Sequence, residues 1–340
     1  MATAAPSLPW TFRVSHERPL RLAALGAAVG AAFFASWLVV LAIDGTLRGG
    51  IPFWGPGSWW EAILRSLLLG YSVTLPAAGL RNAARHVREL APVLPGGEAA
   101  LEAALARTLG VGRGILRASG ALGALLLFPL GVVTDPGALG PVWLGGALWL
   151  SLFGWLIGRA LCTHLHVARA FSTLGARQLR IDLLDLAPLA PIARWGLRMT
   201  LLWAIWFSAM ALFWVGPAPG TWLNALGLLP LLVIALAALV LPIRGVRGRI
   251  RAAKRGELTR LDSEIRAERD HLFRPGVAPA TVESPRLANL AAYRSLVSDV
   301  REWPLDVSTL SRFALYVALG VGSWVGAALV ERLVGAALGR

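Results

Sequence analysis

Apolar runs of membrane-crossing length recur seven times along this chain, and arginine is concentrated in every second gap between them. A span needs roughly 20 mostly apolar residues, because an α-helix rises only about 1.5 Å per residue through the hydrocarbon layer. The runs cover 20–43, 62–80, 119–133, 144–162, 199–215, 223–243 and 313–330. The third is short and holds Pro129, and its start extends, as an alternative, into the residues before Gly114. The first is longer than the roughly 7–15-residue core of a cleaved signal, so it reads as an uncleaved anchor.

Composition agrees with the runs. Hydrophobic residues make up 56% of the 340 and charged residues 15%, against about 25% charged in an ordinary soluble domain. A soluble fold is excluded on those grounds. The net charge is +14, carried by 32 arginines and a single lysine, Lys254. Of the 33 basic residues, 29 fall at the N-terminus (Arg13, Arg18 and Arg21) or in the stretches 81–117, 159–198 and 244–312. Fifteen of the 19 acids share those segments, so that side nets +14 and the opposite side −1. Basic loops stay inside. The chain therefore reads as an all-α, polytopic protein of a bacterial inner membrane, with a cytoplasmic N-terminus and an outer C-terminus.

The expected organisation is a cytoplasmic segment 1–19, a six-span membrane domain 20–243, a cytoplasmic helical hairpin 244–309, and a final span with a short tail, 310–340. The six spans form three hairpins. Leu-Arg pairs open them at 20–21, 116–117 and 197–198, and Leu-Pro pairs close two of them at 75–76 and 241–242. That pattern fits a decayed repeat, and it equally fits basic residues flanking every inner helix end. Tryptophan is abundant. Trp54, Trp59, Trp60, Trp143, Trp214 and Trp222 fit an outer interfacial belt, and Trp10, Trp195 and Trp303 an inner one. Residues 171–185 predict a short amphipathic helix in the inner interface, broken by Pro188 and Pro191.

The segment after the sixth run opens with a basic stripe. Arg244, Arg247, Arg251, Lys254 and Arg255 share an arc of about 100° at 3.6 residues per turn and are expected to contact anionic lipid headgroups. Leu258, Leu261, Ile265 and Leu272 keep helical spacing and predict a packed helix. A turn is expected over 273–285. Pro285 then stands at a first helical position, and Leu287, Leu290, Ala291, Val297 and Val300 form one face. This helix is expected to end at Trp303-Pro304, with Asp306 or Ser308 capping the last span.

The stretch 300–315, VREWPLDVSTLSRFAL, together with the preceding hairpin and a final span, resembles a group of uncharacterised prokaryotic multi-pass membrane proteins. These carry a Glu-Trp-Pro-x-Asp element, here Glu302-Trp303-Pro304-Leu305-Asp306, with Leu305 where Phe is usual. The resemblance covers about the last 100 residues. It implies the hairpin-then-span layout and no activity.

Chemistry-bearing motifs are few. Cys162 and His166 lie four apart and are the nearest approach to a metal pair, with His164 pointing away. A site needs three or four ligands, so no metal or cofactor is expected. One cysteine excludes an intrachain disulfide. Asp182 and Asp185 flank Arg180 closely enough to read as a local ion pair. No nucleotide loop, nucleophile elbow or HExxH occurs, which points away from an enzyme. Nucleic acid is not an expected partner, because acids follow the stripe at once. Arg65, near the outer end of its span, reads as a snorkelling side chain. No span carries a central Asp, Glu or His, which weakens a coupled transporter. Small-residue ridges, Gly26 with Gly30 and Ala318 with Gly322 and Gly326, predict close helix contacts, the last of them between copies in a homo-oligomer.

Three functional readings follow: an oligomeric channel or membrane sensor, a scaffold binding a cytoplasmic partner through 258–302, and a transporter of a small or apolar solute. The third expects a polar cavity at Tyr71, Ser72, Thr74 and Ser151.

Overall fold

The computed structural model describes residues 19–47, 56–133, 140–211, 228–273, 285–303 and 311–316, with 318, 322 and 326. Every regular element among them is helical. We number the longer helices α1 (Pro19–Leu47), α2 (Pro56–Glu89), α3 (Gly97–Leu109), α4 (Arg113–Val133), α5 (Pro141–Arg177), α6 (Ala190–Ala211), α7 (Leu228–Leu272) and α8 (Pro285–Asp299). Single 3₁₀ turns occur at Ala91–Val93 and Ala187–Leu189.

Among the described residues, four stretches are long and apolar enough to cross a membrane: Arg21–Thr46, Ala62–Glu89, Gly97–Phe128 and Pro141–Arg177. The third bridges a break at 110–112 between α3 and α4. Large apolar side chains stay exposed on these helices, Leu67 at 63% and Leu125 at 69%. In water such surface would be costly; against lipid tails it is the expected outer face.

Lipid is as apolar as leucine, so dispersion and close approach, rather than water exclusion, must hold the helices together. Glycine makes that approach possible. At α4 and α5, Gly123 and Gly154 present their backbone carbonyls where each other's side chain would stand, and Gly158 meets the carbonyl of Ser119. At α1 and α2, Gly26 faces Gly70 and Thr74, and a Cβ at Gly30 would stand 3.0 Å from the carbonyl oxygen of Ser66. Gly245 of α7 meets the carbonyl of Ser172 on α5.

The core sits where α2, α5, α6 and α7 converge. Phe171, Trp195, Trp203, Ile243 and Ile250 are fully buried there. Trp206 donates its Nε1–H to the Ser72 hydroxyl (3.1 Å), and the Tyr71 hydroxyl donates to the Leu202 carbonyl (2.8 Å). Both bonds tie α2 to α6. Pro76 and Pro242 sit inside α2 and α7, where neighbouring helices compensate for the lost ladder bond.

Four sequence expectations are corrected. Residues 171–185 form no separate helix: α5 runs on to Arg177, and 179–186 are irregular. The cause is local. The Asp182 and Asp185 carboxylates accept backbone N–H bonds from Leu184 (2.9 Å) and Ala187 (3.1 Å), a turn geometry that competes with a helix. The same bonds replace the ion pair expected with Arg180. Trp195 is not an interfacial anchor; it is fully buried. Finally, α8 stops at Asp299, before Trp303.

The boundary expected at 243/244 falls inside α7, which is one continuous 45-residue helix, roughly 68 Å long. Of the turn expected over 273–285 only Phe273 and Pro285 are described; residues 274–284, the caps Asp306 and Ser308, and Trp10, Trp54, Trp214 and Trp222 lie outside the described residues.

Candidate functional site

The basic stripe on α7 does not lie free. Its middle residues grip the chain that leaves α8. Lys254 donates from Nζ to the carbonyls of Ser298 (2.7 Å) and Val300 (2.9 Å). Those carbonyls close a helix C-terminus, where an ammonium satisfies orphan acceptors and complements the helix dipole. The Arg251 guanidinium sits 3.8 Å from the Glu302 carboxylate. The Arg247 guanidinium lies over the Trp303 ring, 4.1 Å from its centroid, in the range of a cation–π contact.

Further along, Arg294 pairs with Asp262 (2.6 Å) and Arg286 with Glu268 (3.7 Å). Partner numbers rise on α8 as they fall on α7, so the two helices run antiparallel. Leu261 and Val297 are the buried apolar residues on these facing segments. Two electrostatic shifts mark the same seam. Burial, reinforced by the Glu257 carboxylate, pushes the Tyr293 hydroxyl above its ordinary range. The carboxylates of Glu264 and Glu257 hold the Arg260 guanidinium above its own.

The structure thus divides the five stripe residues. Arg247, Arg251 and Lys254 bind protein groups, while Arg244 and Arg255 are exposed. A lone lysine among 32 arginines sits where a compact, rotatable ammonium can reach two carbonyls at once. The signal was the residue type itself.

Other expected site residues are placed as follows. His166 shares an Nε2 hydrogen bond with the Arg107 carbonyl (3.0 Å), and Cys162 is a half-buried free thiol. Among the described residues, no group of three or more His, Cys, Asp or Glu is placed to hold a metal. Gly26 and Gly30 face α2 within the chain, whereas Gly322 and Gly326 have open space beside them and Ala318 is exposed. The hydroxyls of Tyr71, Ser72, Thr74 and Ser151 each donate to a main-chain carbonyl.

Two aromatic sites went unread in the sequence. Arg65 does not reach outward; its guanidinium lies 4.3 Å from the Trp37 ring centre and 5.2 Å from that of Trp149, with Nε and Nη1 sealed from solvent. His164, deep in the core, stacks on Trp195 (5.3 Å) and meets the edge of Trp203 (6.2 Å). Neither residue had a sequence neighbour that signalled its partner.

No family model matches the chain, and neither a curated protein nor a solved structure does.

Proposed function

We propose that the chain is a non-enzymatic, oligomeric membrane sensor or channel in which a cytoplasmic hairpin, α7 with α8, couples cytoplasmic events to the last span. One observation carries the reading. Without a break, α7 joins the buried core at Ile243, Val246 and Ile250 to the clamp at Lys254. The clamp holds Glu302 and Trp303, and only seven residues separate Trp303 from the helical residues 311–316. Moving α8 against α7 therefore moves the root of that helix. The seven spans, the inner membrane, the cytoplasmic N-terminus and the outer C-terminus belong to this proposal and rest on the arginine distribution. The open ridge at Gly322 and Gly326 supports a contact between copies.

The test uses Gly322→Cys in a Cys162→Ser background, labelled by a membrane-permeant thiol reagent in nanodiscs. Adding Lys254→Ala should change the labelling rate at position 322 severalfold. An unchanged rate contradicts the coupling. Bilayer recordings without conductance in either form contradict the channel version and leave the sensor. Crosslinking in native membranes that gives monomer alone contradicts the oligomer.

A partner-binding subunit is the second reading. It is favoured by Phe273, 70% exposed, and Leu296, 60% exposed, on the same hairpin. A stable co-purifying protein that is lost on deleting 258–302 would support it.

A further inference from the structure

Two cavities meet at His166 and Arg169. The first is a groove of about 490 Å³ between α4 and α5. Its walls are almost wholly apolar, with Leu122, Leu126 and Ile157 along its length and Val111, His166 and Arg169 at one end. The second is a smaller pocket of about 210 Å³ between α3 and α5. It is lined by Arg107, Thr108, Thr173 and, again, His166 and Arg169. An apolar compartment and a cationic one thus lie side by side, with His166 and Arg169 lining both.

The charge at the junction has no internal counterpart. Arg107 donates to the Ala103 carbonyl (3.1 Å) and to the neutral Gln178 amide oxygen (3.2 Å), and neither bond neutralises it. Among the described residues Arg169 forms no ion pair, and both guanidiniums are exposed. Arg113 and Arg117, in the first two turns of α4, are also exposed, and neither is paired among the described residues. The groove volume falls within the roughly 300–1,000 Å³ of sites that enclose small-molecule-sized ligands. Basic pockets between spans at the inner face suit anionic headgroups.

We propose that this paired cavity is a binding site for one anionic phospholipid, with an acyl chain in the α4/α5 groove and its phosphate held by Arg107 and Arg169. The groove supplies shape and apolar contact to any acyl chain; the arginines select the charge. The site is separate from the α7 stripe, where three of five basic residues grip protein groups. It requires that α4 and α5 cross the membrane, and it is independent of the coupling role proposed for α7 and α8.

The sole cysteine, Cys162, lines the groove and reports its occupancy. Delipidated full-length protein would be reconstituted with phosphatidylcholine alone or with added phosphatidylglycerol, and alkylation of Cys162 by N-ethylmaleimide timed. Phosphatidylglycerol should slow alkylation at least fivefold relative to phosphatidylcholine. At about 1 kcal/mol per arginine near the surface, removing both should weaken phosphatidylglycerol about 30-fold. Arg107→Ala/Arg169→Ala should therefore restore the phosphatidylcholine rate. Arg244→Ala/Arg255→Ala should keep the protection. Leu122→Trp, which fills the groove and leaves both arginines, should lower phosphatidylglycerol retention in native mass spectrometry. Equal alkylation in the two lipids, protection that survives loss of both arginines, or retention unaffected by Leu122→Trp would each overturn the site. None of these results touches the Gly322→Cys labelling test.

Discussion

Around Trp203, α2, α5, α6 and α7 meet through stacked rings and backbone contacts; around Lys254, the same α7 meets α8 through exposed charge. Phe153, Trp206 and Phe207 continue the aromatic packing, with Phe153 and Trp206 centroids 5.4 Å apart and Trp206 and Phe207 4.7 Å apart. On the hairpin, Leu261 and Val297 are the only fully buried apolar residues on the facing segments of the described helices; Leu258, Ile265, Leu287 and Leu290 are half-buried, and exposed ion pairs and the Lys254 hydrogen bonds make up the polar contacts. Dispersion and close packing are insensitive to salt, while exposed pairs are worth roughly 0.2–1 kcal/mol each and are screened by it. One helix therefore carries a rigid half and a releasable half. Segments with few buried apolar contacts open at low free energy, which is what a coupling element requires.

Several changes break or sharpen that contrast. The largest effect is expected for Trp203→Ala, since emptying an aromatic core position costs about 3–5 kcal/mol. Thermal unfolding in detergent should show loss of the whole bundle, with no selective effect on α8. Next is Gly154→Leu. A side chain there collides with the Gly123 backbone, and overpacking costs roughly 1–3 kcal/mol. Its signature is α4 separating from α5, read as increased protease access between them.

Smaller effects fall on the hairpin. Lys254→Ala leaves the Ser298 and Val300 carbonyls at the end of α8 without their charged donor, a loss of about 1.5–3 kcal/mol for a charge-assisted bond in a favourable setting, and less at this half-exposed site. Exchange at α8 amides should rise severalfold while α5 and α6 stay protected. The smallest effect is Trp303→Ala. It removes a cation–π contact worth about 0.5–1 kcal/mol at an exposed position, and α8 exchange should rise by less than for Lys254→Ala. A reversed order would mean that apolar contact, not the ammonium, holds the clamp.

The sequence made some of this legible and hid the rest for physical reasons. Apolar run lengths located α1, α2, α4 and α5, because hydropathy reports directly on lipid exposure. Helical spacing at Leu258, Leu261 and Ile265 exposed the lower part of α7. Its continuity through 243/244 was hidden, because Pro242 and the first arginines mark a membrane exit and a helix end alike. Gly154 and Gly158 form a GxxxG as readable as Gly26 and Gly30, but small residues are common in every span and do not name their partner. Trp195 was misassigned because an indole suits an interface and a core equally; only the tertiary contact with His164 and Phe171 separates the two. Lys254 stood out by type, yet its role depends on carbonyls 44 and 46 residues away.

The central claim is that charge holds α8 on α7 while packing holds the bundle. Hydrogen exchange on the full chain in nanodiscs, at low ionic strength and in 1 M salt, tests it directly. At 1 M the screening length is about 3 Å. The account predicts that α8 amides lose protection in salt and that α5 and α6 amides do not. Protection of α8 unchanged by salt, or lost together with that of α5 and α6, would contradict it.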